Sequence, residues 1–190
     1  MVLCTVTMMV RYQSRQYSLV KNKGDIQLVC GAPVLPLSSK ATTTGPAPIV
    51  NQDFDDIIDE AIEVFRVVCL FKTKFDIDSP ADKVLVYVTL WIHKCLQVLH
   101  CEEKSSAELP ETLYECASYD LSLPGEADFP LNHLFSAAKD QRERNLCQAY
   151  LKQLRQETAK RISPLLYDKC GLQVKWWTQY ANAQFMNMSL

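Results

Sequence analysis

The chain has 190 residues, of which 48% are hydrophobic and 22% charged, enough for one compact domain of ordinary globular composition. With 5 glycines against 9 prolines, a turn-rich all-β domain is disfavoured, and a formal net charge of -2 disfavours a nucleic-acid-binding domain, which is usually clearly basic. The 8 cysteines include no CxxC pair, so we expect free thiols in a reducing compartment. Their even number leaves a secreted disulfide protein as the less favoured alternative.

The start of the chain lacks the patterns of regular structure. Residues 1–44 show neither helical nor strand periodicity, and their prolines and serines favour an extended or loosely attached segment. The first ten residues are apolar without the basic leader of a secretory signal; the lack of acids before Asp25 faintly resembles a transit peptide, but a variable start is favoured. Residues 45–48 (Gly-Pro-Ala-Pro) forbid helix, so we expect the folded domain to span 45–190.

The first helix is predicted to begin near Asp53. Apolar side chains recur there at three- and four-residue steps and define one face: Ile57, Ile58, Ala61, Ile62, Phe65, Val68 and Cys69. Six acids and no base lie between residues 53 and 63. Acids at a helix N-terminus complement the helix dipole, but six also repel one another. A solvated face is the favoured interpretation, and a basic partner is the alternative.

The second helix has the clearest start signal in the chain. Ser79 is a good N-cap, Pro80 fits the first helical position, and Asp82 lies three residues after the cap. The following segment, about twenty residues long, is apolar on nearly all sides, so most of its surface must be enclosed. We therefore predict a single all-α domain in which this central helix is surrounded by the others. No apolar run approaches the ~20 residues of a membrane span, and none is expected.

The second half of the chain is predicted to form a connector and two further helices. The connector covers 102–130, with a turn at Pro124-Gly125 and an anchor to the core at Phe129. A long helix is expected over 140–162, and a last one from Lys175 to Met186.

The long helix is strongly basic. Between residues 139 and 161 there are seven basic and three acidic side chains, a net charge of about +4. Asp140 with Arg144, and Glu157 with Arg161, have the four-residue spacing of helical ion pairs.

Catalytic motifs are absent from the sequence: it contains no GxGxxG, GxxxxGK[ST], GxSxG or HExxH. His93 and His100 share one face of the central helix, with Cys101 next to His100, but zinc sites normally draw closely spaced ligand pairs from loops. Cys95 is two residues from His93 and points to another face, which disfavours a thiol–imidazole dyad. We expect no metal, no cofactor and no enzymatic activity.

Two adjacent tryptophans, Trp176 and Trp177, follow Lys175. Neighbouring side chains on a helix point about 100° apart, so both rarely face one core. We expect one to be buried and one to face a partner, since tryptophan often anchors interfaces. The alternative, with both packed against neighbouring loops, is equally favoured.

Short motifs in a fixed order support a family resemblance. In chain order they are Gly45-Pro46-Ala47-Pro48, Asp56-Ile57-Ile58-Asp59-Glu60-Ala61-Ile62, Ser79-Pro80-Ala81-Asp82-Lys83, Val88-Thr89-Leu90, Pro124-Gly125-Glu126, Phe129-Pro130-Leu131, Tyr150-Leu151-Lys152-Gln153-Leu154-Arg155-Gln156-Glu157-Thr158, Lys175-Trp176-Trp177 and Gln184-Phe185-Met186-Asn187. This set resembles subunit 3 of the actin-related protein 2/3 complex and covers roughly residues 45–190. Each motif alone is modest, whereas the ordered set is highly specific.

The resemblance implies an all-helical, non-catalytic subunit without a cofactor. Members of that family belong to a seven-subunit assembly that nucleates branched actin filaments, contact actin-related protein 3 and, at the branch junction, the mother filament. The resemblance also implies a cytoplasmic location, at the actin-rich cell cortex and projections. Since actin is acidic, we expect the basic segment 139–161 to face the filament or a partner. The candidate interface residues are Arg142, Arg144, Lys152, Arg155 and Trp176.

Two other functions remain open at this point. One is a free-standing helical adaptor that kept the fold and left the complex. The other is a small thiol- or metal-dependent enzyme that uses the region of His93, His100 and Cys101. Stable behaviour as a lone monomer would favour the adaptor, and stoichiometric metal on the purified chain would favour the enzyme.

Overall fold

The computed structural model describes residues 12–22, 26–71, 77–102, 104–119 and 121–182. Its elements are α1 (Tyr17–Asn22), β1 (Leu28–Val29), β2 (Ala32–Pro33), α2 (Ile57–Phe71), α3 (Pro80–Glu102), α4 (Leu109–Cys116), α5 (Gln141–Ile162), a 3-10 turn at Ser163–Leu165 and α6 (Lys175–Thr178). The prediction that the chain is mainly helical is confirmed. The antiparallel pair of β1 and β2 corrects the expectation of a purely helical chain.

Helix α3 begins where the sequence signals predict. The Asp82 amide donates to Ser79 Oγ at 3.3 Å, while Asp82 Oδ2 accepts from the Ser79 amide at 2.7 Å, so cap and third residue satisfy each other's backbone groups. The helix contacts α1, α2, α4, α5, α6 and β2. By length and composition Pro80–Cys101 could cross a membrane, contrary to the expectation from the sequence, but 72% of its apolar 18-residue portion is buried inside the protein. Such burial is typical of a core helix.

Helix α2 begins four residues later than predicted because Asp56 acts as its cap. Asp56 Oδ1 accepts from the amides of Ile58 at 2.9 Å and Asp59 at 3.3 Å. Ile57, Ile58, Ala61 and Phe65 of the predicted apolar face are buried. The side chains of Val68 and Cys69, predicted to extend that face, lie outside the described part of the chain.

The described part of residues 1–44 belongs to the core, contrary to the expectation of a loosely attached segment. Residues 28–37 include fully buried side chains, such as Val29, Leu35 and Leu37. The Leu35 amide donates to the Tyr150 hydroxyl on α5 at 3.1 Å. The domain therefore extends well before residue 45. Residues 1–11, where a variable start was predicted, lie outside the described residues.

Two buried carboxylates hold the earliest described residues against the bundle. Glu60 of α2 accepts hydrogen bonds from Tyr12 Oη at 2.9 Å, Ser14 Oγ at 3.0 Å and the Arg15 amide at 2.7 Å. Asp82 of α3 accepts from the Ser14 amide at 2.7 Å. Both carboxylates are fully buried, and these bonds fix the segment across the starts of two helices.

The predicted connector 102–130 contains α4, a helix that sequence periodicity did not reveal. Leu109 and Leu113 anchor it to the core. The predicted turn is confirmed at Gly125, whose φ of 96° lies in a region that favours glycine. Phe129 is buried as expected and stacks on Tyr87 of α3, with ring centroids 6.4 Å apart.

Of the last two predicted helices, the first forms as predicted and the second is shorter than predicted within the described residues. Helix α5 matches its predicted range, and its N-cap Asp140 accepts from the Glu143 amide at 2.7 Å. Helix α6 is short and continues as turns to residue 182. The rest of the predicted helix, up to Met186, lies outside the described residues.

Candidate partner-binding surfaces

The C-terminal half of α5 carries a buried charge network centred on Arg161. Its guanidinium binds Asp56 in bidentate fashion at 2.8 and 2.9 Å, Glu157 at 3.0 Å and Asp59 at 3.1 Å. Burial acts to raise the pKa of Asp56, but the hydrogen bonds and charge of Arg161 outweigh it, and the pKa lies below its ordinary value. The predicted Glu157–Arg161 pair is confirmed.

The same network ties an early loop to α5. Glu157 Oε2 accepts from the amides of Thr42 at 3.1 Å and Thr43 at 3.3 Å, and from Thr43 Oγ1 at 3.1 Å. Asp56 Oδ2 accepts from the Ser38 amide at 2.9 Å. These charges therefore hold the loop, α2 and α5 together.

Arg155 was expected at an interface, and the structure places it in the core instead. The residue is 4% exposed. Its Nε donates to Tyr87 Oη at 2.7 Å, and its guanidinium carbon lies 4.7 Å from the centroid of the Trp91 ring. Aromatic side chains of α3 thus provide the contacts of the Arg155 guanidinium, which the sequence pattern had assigned to the surface.

Arg144 also has a structural partner. Its Nη2 donates to Glu126 Oε1, in the loop after the Gly125 turn. The predicted pair with Asp140 is wrong, because the Asp140 carboxylate caps α5. Among the candidate arginines and lysines this leaves Arg142 and Lys152 fully on the surface.

Arg142 lies on a groove between the hairpin and α5, which we call the Arg142 groove. It measures about 720 Å³ and is lined by Gln27, Leu28, Lys139, Asp140, Arg142, Glu143, Asn145, Leu146 and Ala149. Leu28 is 56% exposed, although it belongs to a strand. Because the lining carries two cations and two carboxylates beside its apolar side chains, it suits a partner with both apolar and polar groups. The sequence analysis missed Leu28, because the turn after it has Cys30 where asparagine, aspartate or glycine would have signalled a hairpin.

Trp176 and Trp177 differ in burial. Trp177 is 6% exposed and stacks on Phe65 of α2, with centroids 5.7 Å apart. Trp176 is half-buried and meets Trp177 edge-on, with centroids 4.7 Å apart. One tryptophan therefore belongs to the core and the other lies at the edge of a surface groove.

This second groove, the Trp176 groove, measures about 700 Å³. Its apolar lining includes Ile62, Leu165, Val174 and Trp176, and its carboxylates are Asp55, Asp59 and Glu63. The structure thus brings the predicted interface tryptophan next to the acidic start of α2. Lys40, which the sequence analysis did not single out, offsets part of this charge, since its Nζ lies 3.1 Å from Asp53 and 3.8 Å from Asp59.

The histidines and thiols considered for catalysis are scattered. His93 and Cys95 are buried in α3, whereas His100 and Cys101 are exposed near its end. Burial raises the pKa of Cys95, which disfavours the reactive thiolate. Within the described ranges, no group of three or more His, Cys, Asp or Glu residues is arranged to hold a metal ion.

Comparison with known proteins identifies the family. The model of the P21-Arc family, described as the ARP2/3 complex ARPC3 (21 kDa) subunit, matches residues 9–190. This chain belongs to the P21-Arc family. It is 41% identical over 172 residues to actin-related protein 2/3 complex subunit 3 of Arabidopsis thaliana. The aligned residues make up 90% of this chain and 95% of that relative.

More distant P21-Arc relatives are similar over a comparable length. The protein of the same name from Dictyostelium discoideum is 35% identical over 165 residues, 86% of this chain and 92% of the relative. That from Schizosaccharomyces pombe is 36% identical over 167 residues, 87% of this chain and 93% of the relative. The P21-Arc match begins at residue 9, so it includes most of the segment that the sequence analysis separated from the domain.

Proposed function

We propose that this chain is the third subunit of an actin-related protein 2/3 complex, a non-catalytic component that supports nucleation of branched actin filaments. The observation that carries this proposal is the family match over residues 9–190, together with relatives that bear this subunit's name and share nearly their whole length with the chain. The proposal places the protein in the cytoplasm, at the actin-rich cell cortex and its projections.

The internal contacts support a positioning role. The Arg161 network joins parts of the chain more than 100 residues apart, since Arg161 binds Asp56 across a separation of 105. Charges satisfied inside the protein hold its surfaces in fixed relative positions. A rigid subunit influences an assembly by making better contacts in one of its conformations than in another. We propose that this subunit stabilises the active arrangement of the complex in that way.

Two surfaces are proposed to make these contacts. Exposed Arg142 lies in the first turn of α5 and exposed Lys152 lies at its middle, where their charge suits an acidic actin-like surface, either actin-related protein 3 or the mother filament. The Trp176 groove combines an aromatic edge with exposed apolar Leu165 and suits a contact with a neighbouring subunit.

Affinity purification of the tagged chain from its own cells tests the assignment. We expect mass spectrometry to recover the actin-related proteins and the other subunits of the complex in near-equal amounts. Recovery of the chain alone, or with unrelated proteins, would contradict membership and leave the free-standing adaptor as the better hypothesis.

Charge reversal tests the proposed basic contact in the assembled complex. The double variant Arg142→Glu, Lys152→Glu should still enter the complex and should lower the number of branches per filament length. Lys169→Glu is the control for charge reversal outside α5, because Lys169 is exposed in the loop after the 3-10 turn. Arg144 is left unchanged, because replacing it would break its bond to Glu126. A loss of branching could then come from a change in the protein's own structure as well as from a lost partner contact. Unchanged branching by the double variant would reject this surface.

A further inference from the structure

The six acidic residues between 53 and 63 do not all serve the fold. Two of them, Asp56 and Glu60, are buried and accept hydrogen bonds inside the protein. The other four reach solvent at least in part: Asp53, Asp55, Asp59 and Glu63. Internal contacts therefore account for only part of this acidic charge, and the remainder lies where a partner can reach it.

Three of these outward carboxylates, those of Asp55, Asp59 and Glu63, line the Trp176 groove. Within the described part of the chain, the Asp55 carboxylate forms no salt bridge. Asp59 Oδ2 is a buried atom that accepts no hydrogen bond from the described residues, and Lys40 Nζ lies 3.8 Å from it. Glu63 pairs with Arg15 at 2.6 Å, but both side chains are exposed, so that pair is weak. The groove therefore offers carboxylate oxygens to a further donor.

The two cations that line the groove are engaged by other carboxylates as well. Arg161 binds Asp56 in bidentate fashion and Glu157 at 3.0 Å, both inside the protein. Lys40 Nζ lies 3.1 Å from Asp53, just outside the groove lining. The groove with its surroundings therefore has a net negative charge.

The apolar wall of the groove lies beside these carboxylates. It includes Ile62, Val174 and Leu165, and Leu165 is 44% exposed. Trp176 contacts the Tyr180 ring, with centroids 5.2 Å apart, and also lines the groove. The face of an indole ring attracts a cation within about 6 Å. An arginine or lysine side chain suits such a surface, because its apolar stem packs on apolar groups while its charged end reaches a carboxylate.

We propose that the Trp176 groove binds a basic segment of a neighbouring subunit, with an arginine or lysine side chain between Trp176 and the carboxylates of Asp55 and Asp59. The inference rests on the proposal that this groove contacts another subunit, and it adds the chemistry of that contact. Exposed Arg142 and Lys152 suit an acidic surface, whereas the groove suits a basic one. Two surfaces of opposite charge preference fix the orientation of a subunit, because reversed docking would bring like charges together.

Peptide binding to the purified full chain tests the chemistry of the groove. The probes are two short fluorescent peptides, one alternating leucine with arginine and the other leucine with glutamate, and fluorescence anisotropy measures their Kd values. We expect the basic peptide to bind about tenfold more tightly, and its affinity to fall as salt is added. Equal affinity of the two peptides, or tighter binding of the acidic one, would overturn the proposal.

Two variants and a matched control assign that binding to the groove. Asp55→Lys removes one attraction and adds a repulsion, so it should weaken the basic peptide about fivefold. Glu115→Lys makes the same change in net charge on exposed α4, outside the groove lining, and should change Kd by less than about twofold. Trp176→Leu keeps an apolar side chain but removes the ring, and should weaken binding about threefold. Equal effects of Asp55→Lys and Glu115→Lys would reject the groove as the binding site.

Photo-crosslinking in the assembled complex tests which segment occupies the groove. The tagged chain carries a photoreactive amino acid in place of exposed Leu165, and mass spectrometry identifies the peptide linked to it. We expect a segment of another subunit that contains arginine or lysine next to an apolar residue. If the complex assembles but position 165 links to a segment without a basic residue, or to no subunit, this inference fails while the subunit assignment stands. If no complex is recovered, the assignment fails, and the peptide measurements still decide the chemistry of the groove.

Discussion

The two halves of α5 use the same kinds of side chain for different purposes. In the C-terminal half, Arg155 and Arg161 are held by aromatic rings and carboxylates inside the protein. At the N-terminal end, Arg142 in the helix and Lys139 just before it are exposed along a groove. The net positive charge of the segment is therefore a poor guide to its surface, because several of its bases have internal partners.

The difference follows from what each half packs against. The polar residues 155–158 of α5 are all buried, since α3 lies on one side and the early loop on another. Burying such groups is unfavourable unless each finds a partner. The N-terminal half has the hairpin on only part of its surface, so Arg142 stays in water, although Glu143 and Arg144 have partners within the protein. A free charge can serve a partner, whereas a charge with internal partners serves the fold.

Replacing Arg161 should have the largest effect on stability. Arg161→Met leaves the buried carboxylates of Asp56 and Glu157 without their cation, and losing one partner of a buried ion pair costs about 3–5 kcal/mol. Urea unfolding of the purified chain measures this loss. Lys160→Met is the adjacent control: Lys160 lies on the surface, 5.7 Å from the Tyr114 ring centroid, and its loss should cost about 0.5–1 kcal/mol. Equal effects of the two substitutions would contradict the division of α5.

Acid should weaken the buried half of α5 through Asp56. The pKa of Asp56 is lower in the folded protein than its ordinary 3.8. Its contribution to stability is therefore fully present above pH 3.8 and is lost as pH falls through the lower folded value. The contribution of Asp56 to the free energy of unfolding should therefore not change with pH near neutrality and should fall in the acid range. Asp56→Asn should be less stable at pH 7 and show a shallower acid decline; an unchanged acid slope would reject Asp56 as a main source of the decline.

Charge reversal in the exposed half should have the smallest effect on stability. Arg142→Glu should change the free energy of unfolding by no more than about 0.5 kcal/mol, the usual limit for surface substitutions. Thermal unfolding of the isolated chain measures it, next to the Arg161→Met variant. A loss comparable to that of Arg161→Met would show that Arg142 also has a structural role.

The sequence was informative where local chemistry decides the structure. Ser79, Pro80 and Asp82 predicted the start of α3 because a cap depends on neighbouring residues alone. The turn at Gly125 and the anchoring of Phe129 were predicted for similar reasons. Trp176 was singled out from its type and position, and the structure places it on a groove.

Features that depend on distant partners could not be predicted. Arg155 lies in the core because Tyr87 and Trp91 face it from α3, a relation that periodicity does not encode. Residues 28–37 form an apolar run, but its glycine and two prolines interrupt any helical or strand period, and only the structure shows that most of it is buried and that Leu35 contacts α5. Leu28 becomes part of a groove only because the hairpin lies beside α5.

The long-range bonds of the early segment have a consequence for biosynthesis. Glu143, which accepts the hydrogen bond of the Cys30 amide, lies 113 residues later in the chain. Glu157, which accepts that of the Thr42 amide, lies 115 residues later. At about 5–20 residues per second, a ribosome needs roughly 6 to 23 seconds to produce the intervening chain. During that time the apolar residues between Val29 and Leu37 lack the helix that will cover them. The nascent chain is therefore exposed to aggregation until α5 leaves the ribosome, and chaperones that bind apolar segments have this interval in which to act.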